Sequence, residues 1–165
     1  MVWPMTHTSD EAGARVERFS ARVVDARFLG YFDSFNRQRF HEAHDLLEVL
    51  WLGDRHGPSG DFLKGLIQVA GAFVLLQKGR LRPAAALLQR AEFHLRSYPR
   101  HHESTDLAAV RGVIATWRAA LQEPATSVKP LGSTAPPFLP PPGDAGRQWE
   151  SRSPTSRRAR ISDSL

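Results

Sequence analysis

Four side chains that can bind a metal or transfer protons recur at helical spacing between residues 39 and 52. His41 and Asp45 are four residues apart, and so are His44 and Glu48. Side chains at this spacing lie on one face of an α-helix and can touch. Imidazole and carboxylate are the usual metal ligands in a chain without cysteine, and both also serve as general acids and bases. The pattern predicts a metal site, an acid–base site or a solvated, ion-paired helix face.

The spacing does not complete the metal-binding helix of zinc proteases. That motif places a second His four residues after the first, and here that position is Asp45. Glu42 and Glu48 are the candidates for a general base. The candidate metal ligands are His44, Glu48 and His94, the last because it comes from a different predicted helix.

Two polar residues interrupt the most apolar predicted helix. Lys64 and Gln68 are four residues apart in it, and buried polar groups need partners. We expect them to meet the carboxylates of the preceding helix in a network or pocket, with Phe35 and Trp51 as apolar walls. The predicted pocket or network comprises Glu42, His44, Asp45, Glu48, Trp51, Lys64 and Gln68.

Composition removes several classes of chemistry. The chain has no cysteine, which excludes disulfides, thiolate zinc sites and thiol nucleophiles. A glycine-rich phosphate loop and a Gly-x-Ser-x-Gly elbow are also missing, so nucleotide transfer and serine hydrolysis are disfavoured. Residues 1–13 lack a targeting pattern, and the longest apolar stretch, residues 69–76, is far shorter than the roughly 20 residues of a membrane span. We therefore expect a cytoplasmic protein without membrane contact.

Apolar residues recur with helical periodicity from about residue 9 to residue 122, and no convincing strand pattern is present. Interruptions of the apolar periodicity, several of them at glycine or proline, divide this region into six helical segments. They cover about residues 9–24, 25–36, 39–52, 59–78, 83–97 and 104–122. The predicted fold is an all-α, compact bundle of about five to six helices.

A faint internal repeat supports this architecture. Residues 39–43 align with residues 80–84 at an offset of 41, and Leu47 and Leu88 keep the register. A helix, a short polar turn and a second helix in each copy are typical of αα-hairpins. The bundle is therefore predicted to consist of packed αα-hairpins.

Charge and proline separate the C-terminal region from the bundle. The chain has 22 Lys and Arg against 17 Asp and Glu, a net charge of +5, of which residues 124–165 contribute +3 from six basic and three acidic residues. The same region holds eight of the twelve prolines and few apolar residues. This composition predicts a disordered tail. The predicted organisation is a flexible N-terminus at 1–8, a helical bundle at 9–123 and a disordered tail at 124–165.

An ordered series of motifs resembles the domain-of-unknown-function family 309. The chain has Phe35-Asn36, then Glu42-Ala43-His44-Asp45, Trp51 and finally Lys64-Gly65-Leu66-Ile67-Gln68, within a similar region at about 28–95. The resemblance implies a compact helical bundle. Some members carry the label of predicted metal-dependent hydrolase.

The same resemblance implies which polar residues matter. The family's polar set falls on Glu42, His44, Glu48, Lys64 and Gln68, with Trp51 beside them. Many members have a further His late in the helix that carries Lys64-Gly65-Leu66-Ile67-Gln68, where this chain has Leu75, and an Asn after the following glycine, where it has Arg80. The loss of that His removes one implied ligand and weakens the hydrolase interpretation.

Three functions remain open on the sequence. The favoured one is a non-catalytic binding or structural domain for a small molecule or a protein. The alternative is a metal-dependent hydrolase in which a divalent ion held by His44 and the carboxylates activates water. The third and least favoured is a nucleic-acid adaptor acting through the arginine-rich tail, residues 124–165. Apolar helix faces also leave a homo-oligomer open.

Overall fold

The computed structural model describes residues 25–122, 131 and 135–143. Within them lie five helices, α1 (Ala26–Asn36), α2 (Phe40–Asp54), α3 (Gly60–Gln77), α4 (Leu81–Leu95) and α5 (Leu107–Gln122). Strands β1 (His101–His102) and β2 (Thr105–Asp106) pair antiparallel between α4 and α5. The predicted all-α bundle is confirmed. The predicted helix at 9–24 and the predicted N-terminus at 1–8 lie outside the described residues.

The α1–α2 and α3–α4 connections are the same turn. Each helix is followed by a residue with left-handed backbone, Gln38 (φ 61°) in the first turn and Gly79 (φ 70°) in the second. The next amide N–H then donates to a carbonyl five residues back, at 2.8 Å from Arg39 and 2.9 Å from Arg80. This arrangement satisfies the last helical carbonyls and reverses the chain.

The internal repeat is present as two αα-hairpins, α1–α2 and α3–α4. Helices α2 and α4 are both 15 residues long and begin 41 positions apart. At the same offset Ala43 matches Ala84 and Leu47 matches Leu88, and all four are fully buried. Helix α4 begins at Leu81, two residues before the predicted start at Pro83, because proline is tolerated anywhere in the first turn, where no N–H partner is needed.

Aromatic rings join the two hairpins in the core. The Phe73 ring lies 5.3 Å from that of Phe35, 5.0 Å from that of Phe40 and 5.0 Å from that of Trp117, measured between centroids. The hydroxyl of Tyr31 donates to the Leu66 carbonyl at 2.9 Å, and burial raises the pKa of Tyr31. Phe35 was expected as a wall of the polar pocket, but it is fully buried in this cluster instead.

Helix α3 is the central helix of the bundle. Its 18 residues have a mean hydropathy of 1.2, long and apolar enough by that measure to cross a membrane. Packing explains the same composition, because 61% of the segment is buried inside the structure. The apolar character of α3 is that of a core helix.

The hairpin β1–β2 was not predicted, because its strands have only two residues each. Glu103 and Ser104 form its turn with φ of 46° and 58°, the backbone of a tight two-residue hairpin turn. Asp106 then starts α5, and its Oδ1 accepts the Ala108 N–H at 3.0 Å. Asp106 therefore caps the last helix.

Part of the C-terminal region predicted as disordered packs on the bundle. Leu139 is fully buried in the core, and the Asn36 side chain accepts from its N–H and donates to its carbonyl, both at 2.8 Å. The Gly143 N–H donates to the Ser104 carbonyl at 3.0 Å. We call residues 135–143 the C-terminal strap. The strap differs from the prediction because the Leu139 side chain packs into the core and the Asn36 side chain amide satisfies the Leu139 backbone. The rest of the predicted tail, apart from residue 131, lies outside the described residues.

Candidate functional site

The outward face of α2 brings the four predicted side chains into a chain of contacts. His41 Nδ1 lies 3.1 Å from Asp45 Oδ2, and His44 Nδ1 lies 3.2 Å from Asp45 Oδ1. His44 Nδ1 is also 3.9 Å from Glu48 Oε2. Both pairs at a spacing of four residues meet because α2 is a regular helix through this region. Asp45 therefore bridges the two imidazoles.

Three of these residues form a compact set of donor atoms. One ligand atom each from His44, Asp45 and Glu48 can be chosen so that all lie within 4.8 Å of one another. The His44 side chain is 32% exposed, whereas the carboxylates are about half exposed. Imidazole nitrogen with carboxylate oxygens is a donor set suited to Zn²⁺ and other divalent transition metals. The set could hold a cation from one side and leave other coordination positions open.

Helix α3 supports this face from behind. The His44 ring packs near Gly71, with Cδ2 3.7 Å from the position that a Cβ would take there. Two turns away, Lys64 Nζ lies 4.8 Å from the centroid of the Trp51 ring. In each pair, His44 with Gly71 and Trp51 with Lys64, the residue numbers add to 115. A constant sum is expected when two antiparallel helices pack in one register, because an advance along one helix is a retreat along the other. This register places Gln68 level with Leu47, which is fully buried.

Gln68 has an unsatisfied acceptor. Its Oε1 is buried and has no hydrogen-bond partner in the described part of the chain. A buried carbonyl oxygen without a donor is costly, by roughly 1–3 kcal/mol. It marks a position where a ligand, water or cation could supply the missing partner.

The expected lysine–carboxylate network is not seen among the described residues. In that part of the chain Lys64 makes a cation–π contact with Trp51, and no ion pair joins it to Glu42, Asp45 or Glu48. A cation over an indole ring needs no acidic partner. Within the predicted cluster, Lys64 therefore contacts Trp51, one helical turn beyond Glu48, and is not paired with the donor set.

Glu42 lies near Asp45 but is bonded to Ser34 of α1 and to Arg39. Its Oε1 accepts a hydrogen bond from the Ser34 hydroxyl at 3.0 Å, and its Oε2 lies 3.4 Å from Arg39 Nε. Both contacts arise because Glu42 sits in the first turn of α2, next to the α1–α2 connection. This carboxylate links two helices.

His94 belongs to a separate pair. Its Nδ1 lies 3.1 Å from Asp61 Oδ1, across the α3–α4 interface. Asp61 precedes Gly71, which contacts His44, by ten residues, or about 15 Å along α3. His94 therefore does not supply a ligand beside His44 in this structure.

An open groove of about 400 Å³ borders the donor set between α1 and α2. Asp45 belongs to both the groove and the donor set, so a bound cation would lie next to the groove. Its other lining side chains mix charge with apolar surface: Arg27, His41, Glu42, Leu46 and Val49.

These features define an all-α protein of packed αα-hairpins with a histidine–carboxylate face beside a groove. Residues 28–87 match the model of the family described as Domain of unknown function (DUF309). The matched segment begins at the third residue of α1, extends into α4 and contains the donor set, so the resemblance seen in the motifs is confirmed there. No curated protein and no solved structure matches the chain.

Proposed function

We propose that this protein is a non-catalytic binding domain that takes a divalent cation on His44, Asp45 and Glu48. The observation that carries the proposal is the convergence of three donor atoms within 4.8 Å on one helix face. Three protein ligands leave coordination positions for water or for a ligand group. The adjoining groove offers room for the organic part of such a ligand.

Gln68 is a separate unsatisfied group inside the helix pair. Its buried Oε1 lacks a donor among the described residues, and the helix register sets it level with Leu47, which is fully buried. A buried water between α2 and α3 would satisfy this oxygen. The cation proposal therefore depends on the three donor atoms alone.

Binding is favoured over hydrolysis by the position of Glu42. A metal-dependent hydrolase needs a base beside the metal-bound water. Glu42, one of the two candidates for that role, is engaged with Ser34 and Arg39. The other candidate, Glu48, belongs to the donor set itself. The hydrolase alternative would therefore require one carboxylate to bind the metal and also serve as base.

Calorimetric titration of metal-free, untagged protein with Zn²⁺ and with Mn²⁺ tests the proposal. We expect one site in the native protein, loss of that site in His44→Ala, and affinity weaker by at least about tenfold in Glu48→Gln, since even groups behind a ligand contribute that much. His94→Ala is the matched control, because His94 also contacts one carboxylate but lacks the third donor.

Two outcomes would contradict the cation proposal. One is that neither metal binds the native protein. The other is that His94→Ala weakens binding as much as His44→Ala, which would indicate general histidine affinity rather than a site. Circular dichroism of each variant establishes that a lost site reflects lost ligands and not unfolding.

A further inference from the structure

The outward face of α4 carries arginines around one exposed aromatic ring. On a helical wheel Arg82, Arg90, Phe93 and Arg96 fall within an arc of about 120° centred on Phe93. Arg96 follows the last residue of α4 but keeps helical angles (φ −60°, ψ −33°), so the wheel extends to it. All four residues are exposed. We call these four residues the Arg/Phe face.

No acidic side chain of α4 offsets this charge. The acidic residue in the helix is Glu92, which lies 100° from Phe93 on the wheel and pairs with Arg118 of α5. Within the described residues, Arg82, Arg90 and Arg96 have no ion pair. Three guanidinium groups are therefore available to an anionic partner.

Phe93 gives the face a second property. Its side chain is 57% exposed, and the guanidinium carbon of Arg96 lies 4.0 Å from the ring centroid. An exposed phenyl ring adds nothing to a surface that attracts anions by charge alone. The Arg96 guanidinium therefore covers one face of the ring, and a planar group can stack on the other face or on the guanidinium itself.

We propose that the Arg/Phe face of α4 binds single-stranded nucleic acid. Arginines bind the phosphates, and the Phe93 ring with Arg96 stacks on an unpaired base. The preference for a single strand follows from the ring, because a duplex keeps its bases stacked and out of reach. This surface shares no residue with the cation site of α2 and does not depend on it.

An acidic protein is the competing partner for a basic surface. It would use the arginines but would gain little from a stacking platform. A dependence of affinity on Phe93 therefore separates the two kinds of partner.

Fluorescence anisotropy with a short labelled oligodeoxythymidylate tests the proposal on the full chain. We expect binding at low salt, with affinity reduced about 5- to 150-fold in Phe93→Ala, the range for one stacked base. The variant Arg82→Gln, Arg90→Gln, Arg96→Gln should lower the slope of log affinity against log salt by about 2, since each single-strand phosphate contact contributes about 0.7.

The matched control is Arg157→Gln, Arg158→Gln, Arg160→Gln, which removes the same charge from the arginine cluster near the C-terminus. This control should lower the affinity and the salt slope less than the α4 variant does. The proposal is overturned by an equal or larger effect of this control, by unchanged affinity in Phe93→Ala, or by absence of binding in the native protein. Equal binding of a duplex, or equal displacement by polyglutamate, also overturns it. Because all substituted side chains in α4 are exposed, circular dichroism should show unchanged folding.

Discussion

Asp106 is the residue at which the hairpin becomes a helix, and its carboxylate has two partners. Oδ1 accepts the Ala108 N–H at 3.0 Å and lies 3.5 Å from Arg100 Nε. Burial by itself would raise the pKa of Asp106, but the Ala108 hydrogen bond and the Arg100 guanidinium outweigh it and hold the pKa below its usual value. The ionised form is therefore favoured in the folded protein.

This lowered pKa predicts a pH dependence of the free energy of unfolding. The stabilisation is fully present above the unfolded pKa of about 3.9 and is lost as the pH falls through the lower folded value. Asp106→Asn keeps a good helix cap but removes the charge. Its free energy of unfolding should therefore be lower than that of the native protein at neutral pH, and the difference should shrink toward acid pH, where Asp106 is itself protonated. Asp106→Ala should cost about 1 kcal/mol at neutral pH through the lost cap.

Urea denaturation of the three proteins at neutral and acid pH measures these differences. A deficit of Asp106→Asn that stays constant down to acid pH would contradict the lowered pKa. Full stability of Asp106→Ala would contradict the cap itself.

At the scale of elements, the two turns of the repeat reach one backbone geometry with different residues. The first turn uses Gln38 and the second uses Gly79, both with positive φ. A residue with a Cβ is strained by about 1–2 kcal/mol in this region, whereas glycine is not. The Gln38 carbonyl also accepts a hydrogen bond from the Gln77 side chain at 3.0 Å, so the two turns contact each other.

Two glycine-to-alanine substitutions should change the free energy of unfolding in opposite directions. A Cβ added at Gly79 or at Gly112 would meet nothing within 4 Å, so packing is the same for both. Gly79→Ala should lower the free energy of unfolding by about 1 kcal/mol because its backbone is left-handed. Gly112→Ala, inside α5, should raise it by about 0.5–1 kcal/mol because alanine favours a helix.

Thermal and urea unfolding of the two variants check this pair, and each serves as the control for the other. If Gly79→Ala were as stable as Gly112→Ala, the left-handed turn between α3 and α4 would be wrong.

At the scale of the whole molecule, the C-terminal strap joins parts of the chain that are distant in sequence. At the end of α1, the Asn36 side chain makes hydrogen bonds to the Leu139 backbone. At the β1–β2 hairpin, the Ser104 carbonyl accepts a hydrogen bond from the Gly143 N–H. Proline fixes the backbone of this segment before folding, which lowers the entropy lost when it packs. A short segment with one buried leucine can therefore be held by few contacts.

Removing the leucine should be far more costly than removing its neighbour. Leu139 is fully buried and Phe138 is 46% exposed. Leu139→Ala should lower the free energy of unfolding by about 2–5 kcal/mol, whereas Phe138→Ala should change it by much less. Asn36→Ala should cost about 1–3 kcal/mol because it leaves the Leu139 amide groups without partners.

Urea denaturation monitored by tryptophan fluorescence compares the three variants. A stable Leu139→Ala together with a stable Asn36→Ala would mean that the strap does not contribute to the core.

Periodicity, glycine and proline determined much of this protein without reference to tertiary structure. They predicted the all-α class, the repeat at an offset of 41, and helix bounds mostly within about two residues. They also predicted that His41 meets Asp45 and that His44 meets Glu48, because neighbours on one helix face are fixed by the helix itself. The predicted cytoplasmic location stays a prediction.

Tertiary structure decided which helices pack together and which residues lie opposite each other along their axes. Only the packing of α2 on α3 separated Lys64 from the carboxylates, and only that of α3 on α4 paired His94 with Asp61. The strap was missed because a proline-rich segment has no periodicity, and its single anchor, Leu139, gains its free energy from a core assembled by other helices. Contacts within one helix follow local geometry, whereas contacts between distant segments depend on the whole packed core.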